Sequence, residues 1–287
     1  MKHPATTIGE ALRIGRGRLA RAGSDTPGLD AEVLLRHVLG LGRAGLFAQF
    51  PDAIAPDAQT AYQRLLDQRA SGTPVAYLTG EREFMGLTFA VGPEVLIPRP
   101  ESEILVEWAL NWLSQRKHAT IVDVGTGSGA IALSLAALLD PGVAGAIIAI
   151  DVSDAALAMA ARNRARFGLE EQVTLMQGSL LAPISGSVDL LLANLPYLTP
   201  EQIAVNPELA AEPRLALDGG ADGLGLVRQL IGDAPRVMGA GGAIGLEIDP
   251  SQAEAVVARA RDAFPAADVA VLSDLAGRDR HVIVSLG

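Results

Sequence analysis

From Thr120 to the end of the chain, short apolar runs alternate with helix-length amphipathic stretches. Ile121–Val124, Ala146–Ile150, Val173–Met176, Val188–Ala193, Ala243–Ile248, Val269–Leu272 and His281–Leu286 read as strands. Ala130–Leu139, Ala155–Phe167, Leu226–Met238 and Gln252–Ala263 read as the helices between them. Strand–helix alternation joins neighbouring strands in parallel and covers both faces of the sheet with helices, so the class is α/β with a mostly parallel seven-stranded sheet. The last two strands are separated only by Ser273–Arg280. That is too short for a parallel crossover, which requires the final strand to be antiparallel.

Upstream the texture differs. Residues 1–75 carry helical periodicity (Leu34, Leu35, Val38 and Leu39, then Tyr62, Leu65 and Leu66), punctuated by Gly40, Gly42, Pro51 and Pro56, with no strand pattern. A small helical bundle is expected there. Residues 76–100 form a linker in which Phe84–Pro98 is expected to make a hairpin turning at Gly92-Pro93. Residues 101–287 form the α/β domain, opened by a helix after Pro100 whose stripe is Ile104, Leu105, Trp108, Ala109, Trp112 and Leu113.

Charge narrows the partners. The chain has 33 acidic and 23 basic residues, a formal net charge of −10. Residues 1–75 are slightly basic, so the acidic excess lies beyond them. Stable binding to nucleic acid, which depends on neutralising phosphates, is not expected. With no cysteine, disulfides, thiolate zinc sites and cysteine nucleophiles are excluded, in keeping with a reducing, cytoplasmic setting. Met1–Arg18 lacks the apolar core of a signal peptide. Ala130–Ile150 is interrupted by Asp140-Pro141-Gly142 and reads as helix, turn and strand rather than a membrane span. A soluble monomer is expected.

Between the first strand and its helix lies Asp123-Val-Gly-Thr-Gly-Ser-Gly129. Gly125, Thr126, Gly127, Ser128 and Gly129 let the chain turn sharply and let a ligand approach the backbone and the helix N-terminus. Asp151, ending the second strand, stands where such folds accept hydrogen bonds from ribose hydroxyls. A glycine turn alone is also compatible with a plain tight turn. The spacing is G-x-G-x-G rather than the G-x-G-x-x-G of dinucleotide sites, and the only lysines are Lys2 and Lys117, so no phosphate-binding lysine follows. S-adenosyl-L-methionine, which carries no phosphate, fits better than NAD.

The fourth sheet strand runs into Asn194-Leu195-Pro196-Tyr197 at its carboxyl end, where open α/β sheets bind ligands. The Asn194 side-chain oxygen and the following backbone carbonyl can accept both hydrogens of a planar NH2 group, Pro196 restricts the backbone, and the Tyr197 ring can cover the flat face. Two acceptors draw electron density onto a poorly nucleophilic nitrogen and aim it at a methyl donor. A post-strand turn with a packed tyrosine is the plain structural alternative.

Six further segments accompany these motifs in one order: Pro74-Val-Ala-Tyr-Leu-Thr-Gly80, Phe84-Met-Gly86, Leu96-Ile-Pro-Arg-Pro-Glu101, Glu212-Pro-Arg214, Asp222-Gly-Leu224 and Leu275-Ala-Gly-Arg-Asp-Arg280, interleaved with the glycine run and the Asn-x-Pro-Tyr segment. Together they resemble the peptide chain release factor glutamine methyltransferases, the HemK/PrmC family, over nearly the whole chain. The resemblance implies a Rossmann-like class I methyltransferase domain behind a substrate-docking bundle. It implies transfer of a methyl group from S-adenosyl-L-methionine to the side-chain amide nitrogen (N5) of the glutamine in the Gly-Gly-Gln loop of release factors. Asn194, Leu195, Pro196 and Tyr197 would hold the glutamine, with Asn194 also bordering the cofactor. Two departures stand out: Leu195 replaces the usual first proline of Asn-Pro-Pro-Tyr, and Gln177-Gly-Ser-Leu180 lacks a common acidic residue, leaving Ser179 and Leu180 to border the adenine.

The remaining candidates read as structural. His3, His37, His118 and His281 form no ligand spacing, and no metal is expected. Glu101 and Glu103 suit a helix start. Arg278, Asp279 and Arg280 suit a turn with ion pairs, and Arg99 and Glu247 are open between packing and the site. Two rival functions use the same motifs: a nucleic-acid adenine N6-methyltransferase, which must flip its base and grip phosphates, and a catalytically weak S-adenosylmethionine-binding protein.

Overall fold

A computed structural model describes residues 6–140 and 142–287. His3 and Pro141 therefore lie outside the described residues. The chain divides into two compact units, ending and beginning at Gly80 and Glu81.

The first unit is helical: α1 (Ile8–Arg21), α2 (Pro27–Leu39), α3 (Arg43–Ala48), α4 (Pro56–Ala70) and the short α5 (Val75–Thr79). Thr7 and Glu10 close a reciprocal capping box on α1, satisfying two N–H groups that the first turn leaves without helical partners. Leu19, Leu34, Leu35, Leu46, Tyr62 and Leu66 form a core that belongs to this unit alone. Gly15 lets α1 meet α4, because a methyl group there would fall 2.1 Å from the Tyr62 hydroxyl, which donates to the Ala31 carbonyl at 3.1 Å.

The second unit opens with a hairpin of β1 (Glu81–Phe84) and β2 (Leu87–Ala90). The hairpin turns at Met85-Gly86 and not at Gly92-Pro93. Phe84 pairs with Leu87, so the loop has two residues, and both have positive φ (51° and 72°). This is the backbone twist that matches two antiparallel strands. The Met85 N–H donates to Glu103 at 2.7 Å, fixing a conformation unusual for a residue with a Cβ. Pro93 has no N–H for a ladder, and Gly92–Val95 makes only a local turn (Val95 N–H to Gly92 carbonyl, 3.1 Å). The hairpin lies against the sheet domain: Asn163 holds both the N–H and the carbonyl of Ala90, at 2.7 and 3.0 Å.

There follow α6 (Glu101–Leu113), β3 (Ala119–Val124), α7 (Ala130–Leu138), β4 (Ala144–Asp151), α8 (Asp154–Phe167), β5 (Val173–Gln177) and β6 (Val188–Ala193). The chain closes with α9 (Pro200–Ala204), α10 (Gly225–Asp233), β7 (Met238–Glu247), α11 (Ala253–Ala263), β8 (Asp268–Ser273) and β9 (Asp279–Ser285). The helix expected to reach Met238 stops at Asp233. Pro235 sits in a short 3-10 turn over Ala234–Arg236, and Met238 already belongs to β7.

The sheet order is β5-β4-β3-β6-β7-β9-β8. The first five strands are parallel, and β9 is antiparallel to both neighbours, as the short final connection requires. One face is covered by a core that includes Val227, Leu230, Val256 and Ala260, the other by one that includes Leu105, Ala109, Leu133 and Phe89. Strand order reverses between β3 and β6, where connections leave to opposite sides and open a crevice at the carboxyl ends. Val124 pairs with Ala193 across that junction. The glycine turn and Asn194, 65 or more residues apart in the chain, thus leave the sheet side by side. No described helix is long and apolar enough to cross a membrane.

Candidate active site

The crevice is a cavity of about 370 Å³, with walls that include the glycine turn, Asp151, Ser179, Leu180 and the start of the Asn194 segment. Gly125, Gly127 and Gly129 all have positive φ (75°, 57° and 84°), which explains their spacing. They are not equivalent. A methyl group on Gly125 would crowd the Leu195 side chain at 3.1 Å and one on Gly129 would strike Leu133 at 2.6 Å, whereas nothing lies within 4 Å of one on Gly127. Gly125 and Gly129 permit packing and Gly127 presents backbone to open space.

The turn is braced from two sides. The N–H groups of Gly125 and Thr126 both donate to the Ile150 carbonyl, at 2.8 and 2.9 Å. The Gly127 N–H donates to Asp151 Oδ2 at 2.9 Å, and the Ser153 N–H to Oδ1 at 2.9 Å. Each carboxylate oxygen keeps lone-pair capacity toward the cavity. Asp151 therefore holds the glycine turn in shape. Leu180 lies close by with φ of 50°, a left-handed conformation for a residue with a Cβ.

Beneath the turn, Asp123 is buried and accepts from the Thr126 hydroxyl at 2.6 Å and the Ala132 N–H at 3.3 Å, while its Oδ1 has no partner. Burial pushes this carboxyl up to about 6, against the lowering effect of those two bonds. The native state thus holds its proton more tightly than the unfolded chain. Stability from this group is fully present below about pH 4 and lost as pH rises through about 6. In pH-dependent unfolding, the stability of the protein relative to an Asp123→Asn variant should fall by about 1.4 kcal/mol per pH unit between those limits and be flat above about pH 7. A parallel course for the two proteins would overturn it.

On the β6 side, Asn194 Nδ2 donates to Ser102 Oγ at 3.0 Å, and Ser102 Oγ donates to Glu247 Oε2 at 2.5 Å. Because the Ser102 hydroxyl spends its one proton on Glu247, its lone pairs are left to meet an N–H group. This fixes the Asn194 carboxamide with its nitrogen inward and leaves Oδ1 as the group available to a ligand. Leu195 is buried, 4% exposed, and packs against the glycine turn. Pro196 lines the cavity. Tyr197 donates to Glu247 Oε1 at 3.3 Å, its carbonyl accepts from Gln252 at 2.9 Å, and burial followed by the Glu247 charge raises its phenol.

The structure thus gathers the expected site residues against one cavity except Gly129, which packs on Leu133, and Tyr197, which braces the segment from behind through Glu247. Three contributors escaped the sequence reading. Ser102 sits in α6, where a serine carries no local signal of its partner in β6. Glu212 accepts from the Ile97 N–H at 3.1 Å and pairs with Arg99, fixing the loop that supplies Leu96 and Pro98 to the wall. His281 is buried in β9, 3.8 Å from Glu247. Glu103 holds the hairpin turn, and Arg278 and Arg280 both reach Asp274. No group of His, Asp or Glu suited to a metal occurs among the described residues.

The donor set fits S-adenosyl-L-methionine. Arg99 is the one cation among the described cavity-lining residues, and Glu212 engages it, while Glu94 and Asp151 add negative charge. Such a lining is hostile to phosphates and favourable to a sulfonium and an ammonium group. Fold and site together define an S-adenosylmethionine-dependent methyltransferase. A methyltransferase domain family matches residues 115–248, and the PrmC N-terminal domain family matches residues 10–80. The release factor glutamine methyltransferase of Moorella thermoacetica is 45% identical over 275 residues, covering 95% of each chain. That of Deinococcus radiodurans is 40% identical over 274 residues, covering 95% of this chain and 96% of its own. A solved methyltransferase from Pyrococcus furiosus, 19% identical, superposes with a TM-score of 0.52 over 70% of this chain and 89% of its own, which shows the fold. The chain belongs to the release factor glutamine methyltransferase family.

Proposed function

We propose that this enzyme methylates the N5 amide nitrogen of the glutamine in the Gly-Gly-Gln loop of peptide chain release factors. Family membership supports the substrate, and the observation that carries the chemistry is the hydrogen-bonded line from Asn194 Nδ2 through Ser102 to Glu247, which leaves Asn194 Oδ1 as the acceptor for a ligand. S-adenosyl-L-methionine, when bound, supplies an electron-poor methyl group. Gly125, Thr126, Gly127, Ser128, Gly129 and Asp151 would hold it, with Ser179 and Leu180 beside the adenine.

An amide nitrogen is a weak nucleophile because its lone pair is shared with the carbonyl. Asn194 Oδ1 and the Leu195 backbone carbonyl accept the two N–H groups of the glutamine, orienting the nitrogen and raising its electron density. Any residue provides the carbonyl at position 195, so Leu195 is compatible with the role. Pro196 restricts the chain, and Tyr197, instead of covering the amide face, anchors the segment through Glu247. The nitrogen gains the methyl group and releases one proton to water. The helical bundle, whose separate core lets it act as a module, is the docking element for the protein substrate. The monomeric enzyme works in the cytoplasm without stable nucleic-acid binding.

The test is mass spectrometry of a purified release factor after incubation with enzyme and S-adenosyl-L-methionine. A gain of one methyl group on the loop glutamine is expected. Methylation at another residue, or of duplex DNA or RNA in its place, would overturn the reading.

A further inference from the structure

One carboxylate holds both ends of the Asn194–Tyr197 segment. Glu247 closes β7, is 1% exposed, and accepts from Ser102 with one oxygen and from Tyr197 with the other. Ser102, buried in the first turn of α6, accepts in turn from Asn194. Three elements that meet only in the folded domain thus converge on the carboxamide. Burying a carboxylate and a hydroxyl is unfavourable compared with filling the same space with hydrocarbon. Leu105, the next inward residue along α6, shows how readily the core takes such a side chain. His281, 3.8 Å from Glu247, has neither ring nitrogen hydrogen-bonded, so it packs beside the carboxylate without taking either acceptor position from Ser102 or Tyr197.

We propose that Ser102 and Glu247 are positioning residues for methyl transfer: together they set the Asn194 carboxamide so that its oxygen, not its nitrogen, meets the acceptor NH2 group, and they anchor Tyr197. The proposal rests on the reading of Asn194 given above. Without the serine hydroxyl, the two orientations of the carboxamide become comparable. The wrong one offers a donor to a donor, so the enzyme should lose turnover and not affinity for the cofactor.

Steady-state kinetics on an intact release factor test this, with cofactor affinity measured by calorimetry. Ser102→Ala is expected to lower kcat roughly tenfold, the worth of one buried hydrogen bond, while the cofactor Kd stays within about twofold. In an Asn194→Ala background the same change should cost nothing further, since the group it orients is gone. Glu247→Gln keeps an acceptor for Ser102 and should retain most of kcat, whereas Glu247→Leu should match Ser102→Ala or fall below it. Ser102→Cys preserves the volume and weakens the hydrogen bonds, and gives the same answer should Ser102→Ala fold poorly. An impaired Asn194→Ala enzyme alongside a fully active Ser102→Ala or Ser102→Cys enzyme would overturn the positioning role and leave the Asn194 reading intact. So would independent, multiplying losses in the double variant. A fully active Asn194→Ala enzyme would instead remove the reading on which the proposal stands.

Discussion

Asn194→Ala should lower kcat on an intact release factor by roughly a hundredfold, equivalent to about 3 kcal/mol of transition-state stabilisation. The substitution removes one of the two acceptors proposed for the glutamine NH2, and it also strands the Ser102 lone pairs that the Asn194 amide now satisfies. Because that contact is to the methyl acceptor, the cofactor Kd should change far less than the rate. Leu195→Pro is the companion variant. It restores a more rigid carbonyl and should leave kcat equal or higher. It also deletes a side chain packed on the glycine turn, so stability should fall by about 1–2 kcal/mol. Rapid turnover by Asn194→Ala, or a folded but inactive Leu195→Pro enzyme, would place the chemistry elsewhere.

Asp151→Ala should raise the S-adenosyl-L-methionine Kd by at least a hundredfold, on the order of 3 kcal/mol. Two effects add. The acceptors proposed for the ribose hydroxyls are lost, and so is the carboxylate that holds the N–H groups of Gly127 and Ser153. Gly127 is the position where the backbone opens to the cavity, so slackening it degrades the surface the cofactor meets. Asp151→Asn separates the contributions, since one amide oxygen can keep one of the two backbone bonds. Its Kd should fall between those of the protein and Asp151→Ala. Calorimetry showing unchanged affinity in Asp151→Ala would sink the assignment.

Both predictions concern residues that were visible in the sequence, yet the structure changed what each is expected to do. Asp151 was legible because it ends an apolar strand after a glycine turn, a pattern set by local chain geometry. That it also braces Gly127 depends on how β4 lies against β3. Asn194 was legible at the end of the apolar run Val188–Ala193, but which of its polar atoms faces the cavity depends on Ser102 and Glu247.

What the sequence determined by itself is the set of features with short-range causes. Apolar periodicity placed the sheet strands and the helices between them with ends off by up to five residues, as at the Asp233 end of α10 and the Met238 start of β7, and the short final connection required the antiparallel β9. Its misreadings were also local: two breaker signals lay near each other, and the turn went to Met85-Gly86, where Glu103 from α6 secures a positive φ, instead of Gly92-Pro93. Only the tertiary structure decided the order of strands, and with it the crevice between β3 and β6. It alone brought Ser102, Asn194 and Glu247 into one hydrogen-bonded line across 145 residues of chain. No periodicity or spacing records such a line, because each bond is made between side chains whose distance is set by the packing of a helix on a sheet, and not by the chain that separates them.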